Sequence, residues 1–266
     1  MADHVPDVLM PLLAAYHAGE KLLLLFDYDG TLTPIVEHPW QAQLAPETRE
    51  LLAEFAAQPH IYTGVFSGRC LDDLERLIDL PELSYCGVSG IEMRIDGSLL
   101  VHPAARDNVQ LINEITRRLS AIEHVYPGAW VENKRYGFTV HYRGVDPTLL
   151  DEVHKRILGF LESWARQLRI VEAPLAVEVL VGGTWTKGDG VRRMIDHVGE
   201  PVLVFYAGDA PNDREALEAV TAHGGIALGV GPLAPPCATV HVADPETLVN
   251  WMSALLHAIQ EAPVAL

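Results

Sequence analysis

Apolar positions along the chain keep two rhythms. Val8, Leu9, Leu12, Leu13 and Tyr16 recur at helical spacing, and Gly19 closes that stretch. Leu22 to Phe26 is an unbroken apolar run bounded by Gly30, the pattern of a strand buried on both faces. Pro46 to Ala57 predicts a helix with Leu51, Leu52 and Phe55 on one side, and Ile61 to Phe66 a second buried strand. Leu71, Leu74, Leu77 and Ile78 mark another helix. Strand alternating with helix at these lengths predicts an α/β fold around a parallel sheet.

Between about residues 102 and 175 the order becomes helix, strand, strand, helix, strand. Ile112, Ile115, Leu119 and Ile122 form one helical stripe, and Leu149, Val153, Ile157, Phe160, Leu161, Trp164 and Leu168 a longer one. Tyr136 to Arg143 alternates, with Phe138, Val140 and Tyr142 on one face and Thr139, His141 and Arg143 on the other. Val177 and Val179 flank an opposed Glu178. This block predicts a small sheet with helices on one face and a polar face left open. From Lys187 the first rhythm resumes: a helix through Val191, Met194, Ile195 and Val198, a strand over Pro201 to Ala207, a helix from Arg214 to Val220, a short strand over Gly225 to Leu228, and a last helix from Leu248 to Ile259. The expected organisation is a discontinuous core, 1–101 with 176–266, and an insert at 102–175.

A length of 266 residues suits one large domain or a domain with an insert. Lys and Arg total 19 against 36 Asp and Glu, a net charge of −17. That excludes a protein that grips nucleic acid through a basic surface and disfavours docking on anionic lipid. An anionic small substrate is still allowed, provided that cations help locally. No apolar run reaches membrane-spanning length, and Met1 to Pro6 lacks the basic and apolar regions of a leader, so a cytoplasmic location is expected. Three cysteines without a C-x-x-C pair argue against a disulfide framework, and the histidines lack zinc-binding spacing.

Four strand ends carry the chemistry. Asp27-Tyr28-Asp29-Gly30-Thr31 places two acids at the carboxyl end of a buried strand, where open α/β sheets bind ligands. Two carboxylates two residues apart at an extended end are expected on the same side. Ser67-Gly68-Arg69 ends the second strand with a hydroxyl and N–H groups suited to phosphate oxygens. Thr186-Lys187-Gly188 brings a lysine to the start of a helix, and Gly208-Asp209 with Asp213 brings two more acids. Each signal has a plainer reading: an Asp-Gly turn, a serine N-cap, a solvated lysine, an acidic first helical turn. Together they suit Mg2+ and phosphate-ester hydrolysis, in which one aspartate attacks phosphorus and another moves protons.

The ordered set D-x-D-G-T, S-G-R, K-G and G-D-x-x-x-D resembles the haloacid dehalogenase superfamily, which implies a Rossmann-like parallel-sheet core with an inserted α/β cap of the C2B type. Within it, Leu25 to Ile35, Val131-Glu132-Asn133-Lys134, Val140 to Arg143 and Val177-Glu178-Val179 are most similar to trehalose-6-phosphate phosphatases. The resemblance implies Asp27 as nucleophile and Asp29 as general acid/base. Ser67, Gly68 and Lys187 would hold the phosphoryl group. Asp27, the Asp29 carbonyl and Asp209 would hold Mg2+, with Asp213 orienting the metal shell. Thr31 and Arg69 would support the site, and Glu132, Lys134, Arg143 and Glu178 would contact the sugar. It also implies a sugar phosphate as the partner molecule and a functional link to a trehalose-phosphate synthase. The chain departs from the family pattern at Ser89, where histidine is expected, at Ala210 and Asn212, and at Leu180-Val181. These leave room for other substrates: glucosylglycerate, mannosylglycerate, sucrose-6- or hexose phosphates. A sensor that has lost catalysis should lack a catalytic acid, and none of the four is missing.

Overall fold

The computed structural model describes residues 5–36 and 39–261; the leader reading above therefore rests partly on residues outside the described ones. Among the described residues the strands are, in chain order, β1 Lys21–Asp27, β2 Ile61–Phe66, β3 Ser84–Gly87, β4 Glu92–Ile95, β5 Ser98–Val101, β6 Trp130–Asn133, β7 Gly137–His141, β8 Leu168–Ala173, β9 Ala176–Val181, β10 Val202–Gly208, β11 Ile226–Val230 and β12 Val240–Val242. The chain divides into two compact units, Val101–Trp185 and the remainder.

In the first unit the sheet order is β12-β11-β10-β1-β2-β3-β4-β5. It is parallel from β12 to β3 and turns antiparallel at β4. Strand β1 sits in the middle because both of its faces are apolar. Leu22, Leu24 and Phe26 pack into one core with the helices Met10–His17, Pro46–Ala56, Leu71–Ile78 and Pro245–Glu261. Leu23 and Leu25 pack into another, with the helices Lys187–Val198 and Arg214–Ala222. The chain runs from β1 outward to β2 and β3, then returns to β10 on the other side of β1. That reversal is the topological switch point, and the carboxyl ends of β1, β2 and β10 meet there.

In the second unit the sheet order is β6-β7-β9-β8, antiparallel throughout. Phe138, Val140, Val177 and Val179 pack against Ile112, Ile115, Val153 and Ile157 of the helices Val109–Leu119 and Leu150–Leu161.

Several expectations need correction. The boundary at residue 175 moves to Trp185, because β9 lies between β7 and β8 in the second sheet. Leu168 does not extend the second helical stripe. The helix Leu150–Leu161 passes into a 3-10 turn at Glu162–Trp164, and Leu168 opens β8 opposite Val181. Its spacing from Trp164 fits a helix, but cross-strand pairing overrides it. The polar face is only partly open: Lys134, Thr139 and Glu178 are buried, Glu132 and His141 half-buried and Arg143 exposed. Strands β3, β4, β5 and β12 are too short for periodicity to show. Asp96 and Gly97, with positive φ angles of 47° and 74°, turn β4 into β5.

Since Leu24 is fully buried at the centre of β1, Leu24→Ala should lower unfolding free energy by about 3 kcal/mol in urea titration.

Candidate active site

The side chain of Lys187 is the first place where distant segments meet. It opens the helix Lys187–Val198, behind a capping box in which the Thr186 hydroxyl accepts from the Asp189 N–H and the Asp189 carboxylate accepts from the Thr186 N–H. The box fixes the first helical turn, and with it the direction of the lysine. Lys187 is 1% exposed, and its Nζ donates to Asp27 Oδ1 at 2.6 Å and to Asp213 Oδ1 at 2.7 Å. The solvated-lysine reading is thereby excluded. Asp213 also accepts from the Tyr206 hydroxyl at 2.7 Å and from the Asp209 and Ala210 N–H groups, both at 3.1 Å. Four donors occupy the lone-pair directions of one carboxylate. Asp213 therefore braces lysine, tyrosine and loop at once, which suits orienting a metal shell better than donating to it.

Carboxylate oxygens of Asp27, Asp209 and Asp213, all three buried, lie within 4.8 Å of one another. Hard oxygen donors so grouped fit a divalent cation. The electrostatics agree. Burial raises the Asp27 carboxyl well above its ordinary range, Lys187 partly opposes this, and Asp213 and Asp209 add to it. Burial followed by the Asp213 charge pushes Asp209 up to about 7. Burial by itself would lower the Lys187 ammonium, yet Asp213 and Asp27 more than reverse that and its pKa is raised. One ammonium among three acids leaves excess negative charge, which a cation would offset.

The loop after β1 fits around this cluster. Gly30 has φ 90°, and a Cβ there would fall inside the Asp209 carboxylate, so only glycine permits β1 and β10 to deliver their acids together. Asp29 turns another way from Asp27. Its carboxylate is held by Arg69, with Nε at 2.8 Å and Nη2 at 2.6 Å, and stands outside the three-acid cluster. Asp27 and Asp29 thus take different basic partners, Lys187 for the one and a bidentate Arg69 for the other. Arg69 also donates to the Pro39 carbonyl and lies over the Tyr28 ring. Ser67 is buried at the end of β2, its hydroxyl 3.4 Å from Asp29 and accepting from the Arg69 N–H at 3.1 Å; Gly68 lies between them in the same turn. Ser89 stands in this loop cluster as well, its N–H bound to the Ser67 carbonyl. Thr31 Oγ1 and Asn212 Oδ1 are buried here without a protein partner.

In the second unit, Lys134 Nζ bonds Glu178 Oε1 at 3.1 Å, and Glu132 pairs with His141 at 2.9 Å. The ring of His141 stacks on Trp130 at 4.1 Å. Arg143 does not join them: it is exposed and donates to the Pro174 carbonyl. Sequence reasoning missed Tyr206, Trp130 and His141. The strand alternation had already put His141 on the face of Thr139, and that signal was available.

A central strand ending in an acid, neighbouring strands followed by Ser67 and Asp209, and a buried lysine between acids sit in a fold of the haloacid dehalogenase type. Among solved structures, the C-terminal domain of trehalose-6-phosphate phosphatase from C. albicans superposes with a TM-score of 0.79 at 22% identity, covering 96% of this chain and 99% of that one. A trehalose-6-phosphate phosphatase of Aspergillus fumigatus gives 0.64 at 25% identity, covering 96% and 98%. The trehalose-phosphatase family model matches residues 25–243, and the chain belongs to that family. A trehalose 6-phosphate phosphatase of Zea mays is 28% identical over 264 residues, spanning 92% of this chain and 72% of that protein. The trehalose-phosphate phosphatase of Mycobacterium tuberculosis is 32% identical over 228 residues, 84% of this chain and 57% of that longer protein.

The raised Asp209 carboxyl makes stability depend on pH in the metal-free protein. At pH 8 Asp209 is ionised both folded and unfolded, and the folded state bears the full cost of the buried charge. As pH falls through about 7 the folded protein takes up the proton first. The cost then fades until about pH 4, where the unfolded chain is protonated too. Asp209→Asn should therefore raise the melting temperature at pH 8, with a gain that shrinks toward zero near pH 4; thermal denaturation with chelator present checks this.

Proposed function

We propose that this chain is a Mg2+-dependent phosphatase that hydrolyses trehalose 6-phosphate to trehalose and phosphate. The observation that carries this reading is Lys187 joined to Asp27 and Asp213 inside an acidic cluster, in a chain of the trehalose-phosphatase family. Asp27 attacks phosphorus, the ester P–O bond breaks, and Asp27 becomes an aspartyl-phosphate. Asp29 gives its proton to the departing sugar oxygen and then takes one from the attacking water. Water breaks the acyl-phosphate, which releases phosphate, frees the Asp27 carboxylate and leaves Asp29 protonated as at the start. Lys187 holds one oxygen of Asp27, so that the other is presented, and its charge draws a phosphoryl oxygen. Ser67 and the Gly68 N–H take the remaining oxygens, and Arg69 aims Asp29 at the proton it transfers. Asp27, Asp209 and the Asp29 carbonyl would hold Mg2+, whose charge would offset repulsion between carboxylate and phosphate. Glu132, Lys134 and Glu178 recognise the sugar. A functional link to the synthase that makes such a substrate follows from this reading.

Asp27→Asn should reduce kcat by at least about a thousandfold while the variant still folds and unfolds cooperatively. Chelator should stop the wild-type enzyme and Mg2+ restore it. Full turnover by the asparagine variant would remove Asp27 from the nucleophile's role. A panel of sugar phosphates compared by kcat/KM tests the substrate: trehalose 6-phosphate should lead glucosylglycerate, mannosylglycerate, sucrose and hexose phosphates.

A further inference from the structure

Residues that face each other across antiparallel strands share a side of the sheet. Glu132 of β6 faces Thr139 of β7, Thr139 faces Glu178 of β9, and Glu178 faces Val171 of β8. These four form one transverse row on the side away from the apolar core. Arg169, two residues from Val171, lies on the same side. Glu132 has His141 as partner and Glu178 has Lys134. In the middle of the row stands Thr139, 5% exposed, and its Oγ1 has no hydrogen-bond partner. The Arg169 Nε is likewise buried without a partner, although the same guanidinium donates through Nη2 to the Trp185 carbonyl. Proteins leave few buried polar atoms unsatisfied. Here the second unit leaves two, both on its polar face and none on its apolar one among the described residues.

A missing partner must suit this setting. Two carboxylates flank Thr139 in its row, so a phosphate is repelled from it. A neutral group that both donates and accepts is favoured, because Oγ1 does both and the carboxylates only accept. Sugar hydroxyls meet that requirement. We propose that Thr139 is a specificity residue whose hydroxyl bonds the neutral sugar ring of the substrate, between the groups on Glu132 and Glu178. This rests on the phosphatase reading above and adds to it a residue that selects the sugar instead of the phosphate.

The experiment compares Thr139→Val, which keeps the shape and removes the hydroxyl, with Thr139→Ser, which restores it. Both are assayed on trehalose 6-phosphate and on p-nitrophenyl phosphate, a phosphate ester without a sugar. Thr139→Val should raise KM for trehalose 6-phosphate about tenfold with little change in kcat, and lose far less kcat/KM on the aryl ester. Thr139→Ser should recover most of the loss. An unchanged KM in Thr139→Val overturns the inference, and so does an equal loss on both esters, which would make the hydroxyl a structural group. A wild-type enzyme that cleaves the aryl ester but does not prefer trehalose 6-phosphate overturns the substrate reading instead. The same variants are then compared on the preferred sugar phosphate, where equal KM values again overturn the role of Thr139.

Discussion

An ammonium removed from water needs compensating negative charge at short range, and Lys187 receives it from Asp27 and Asp213. The requirement is mutual. Asp27 and Asp213 are as deeply buried as the lysine, and without it their charges would face each other and Asp209. The end of β1, the end of β10 with the turn after it, and the first turn of the helix Lys187–Val198 can therefore fold only in one mutual arrangement. Tyr206 and the N–H groups of Asp209 and Ala210 complete the shell around Asp213. These ionic contacts serve the fold and also hold the Asp27 carboxylate in a fixed direction.

That arrangement is delivered by the sheet. Because both faces of β1 are apolar, the strand is driven to the centre, and its first polar side chain beyond Phe26 emerges at the rim between β2 and β10. A strand with alternating polarity would have gone to an exposed position and carried Asp27 away from its partners. Hydrophobic burial thus selects the place where the charges gather.

Much of this was legible in the residue pattern. The long strands, the acids at their ends and the rhythm change near residue 102 each have a local cause that sequence displays. What stayed hidden was set by tertiary pairing. Nothing in Asp-Tyr-Asp-Gly tells that Asp29 turns to Arg69 while Asp27 turns to Lys187. Tyr206 looks like any aromatic residue in a buried strand until its hydroxyl is seen on Asp213. The end of the insert was misplaced because β9 is apolar enough to belong to either sheet, and only its pairing with β7 and β8 decides. Thr139 could be assigned a face from alternation, but its unsatisfied hydroxyl is a property of its surroundings.

The capping box at Thr186 and Asp189 lies wholly in the first unit, immediately after the chain leaves the second at Trp185. It fixes the first turn of the helix Lys187–Val198 by hydrogen bonds between residues of one unit. The direction of Lys187 is set by contacts within that unit, the capping box behind it and the carboxylates of Asp27 and Asp213 ahead of it. The bonds that aim the lysine therefore all belong to one unit, and a substitution within Val101–Trp185 removes none of them.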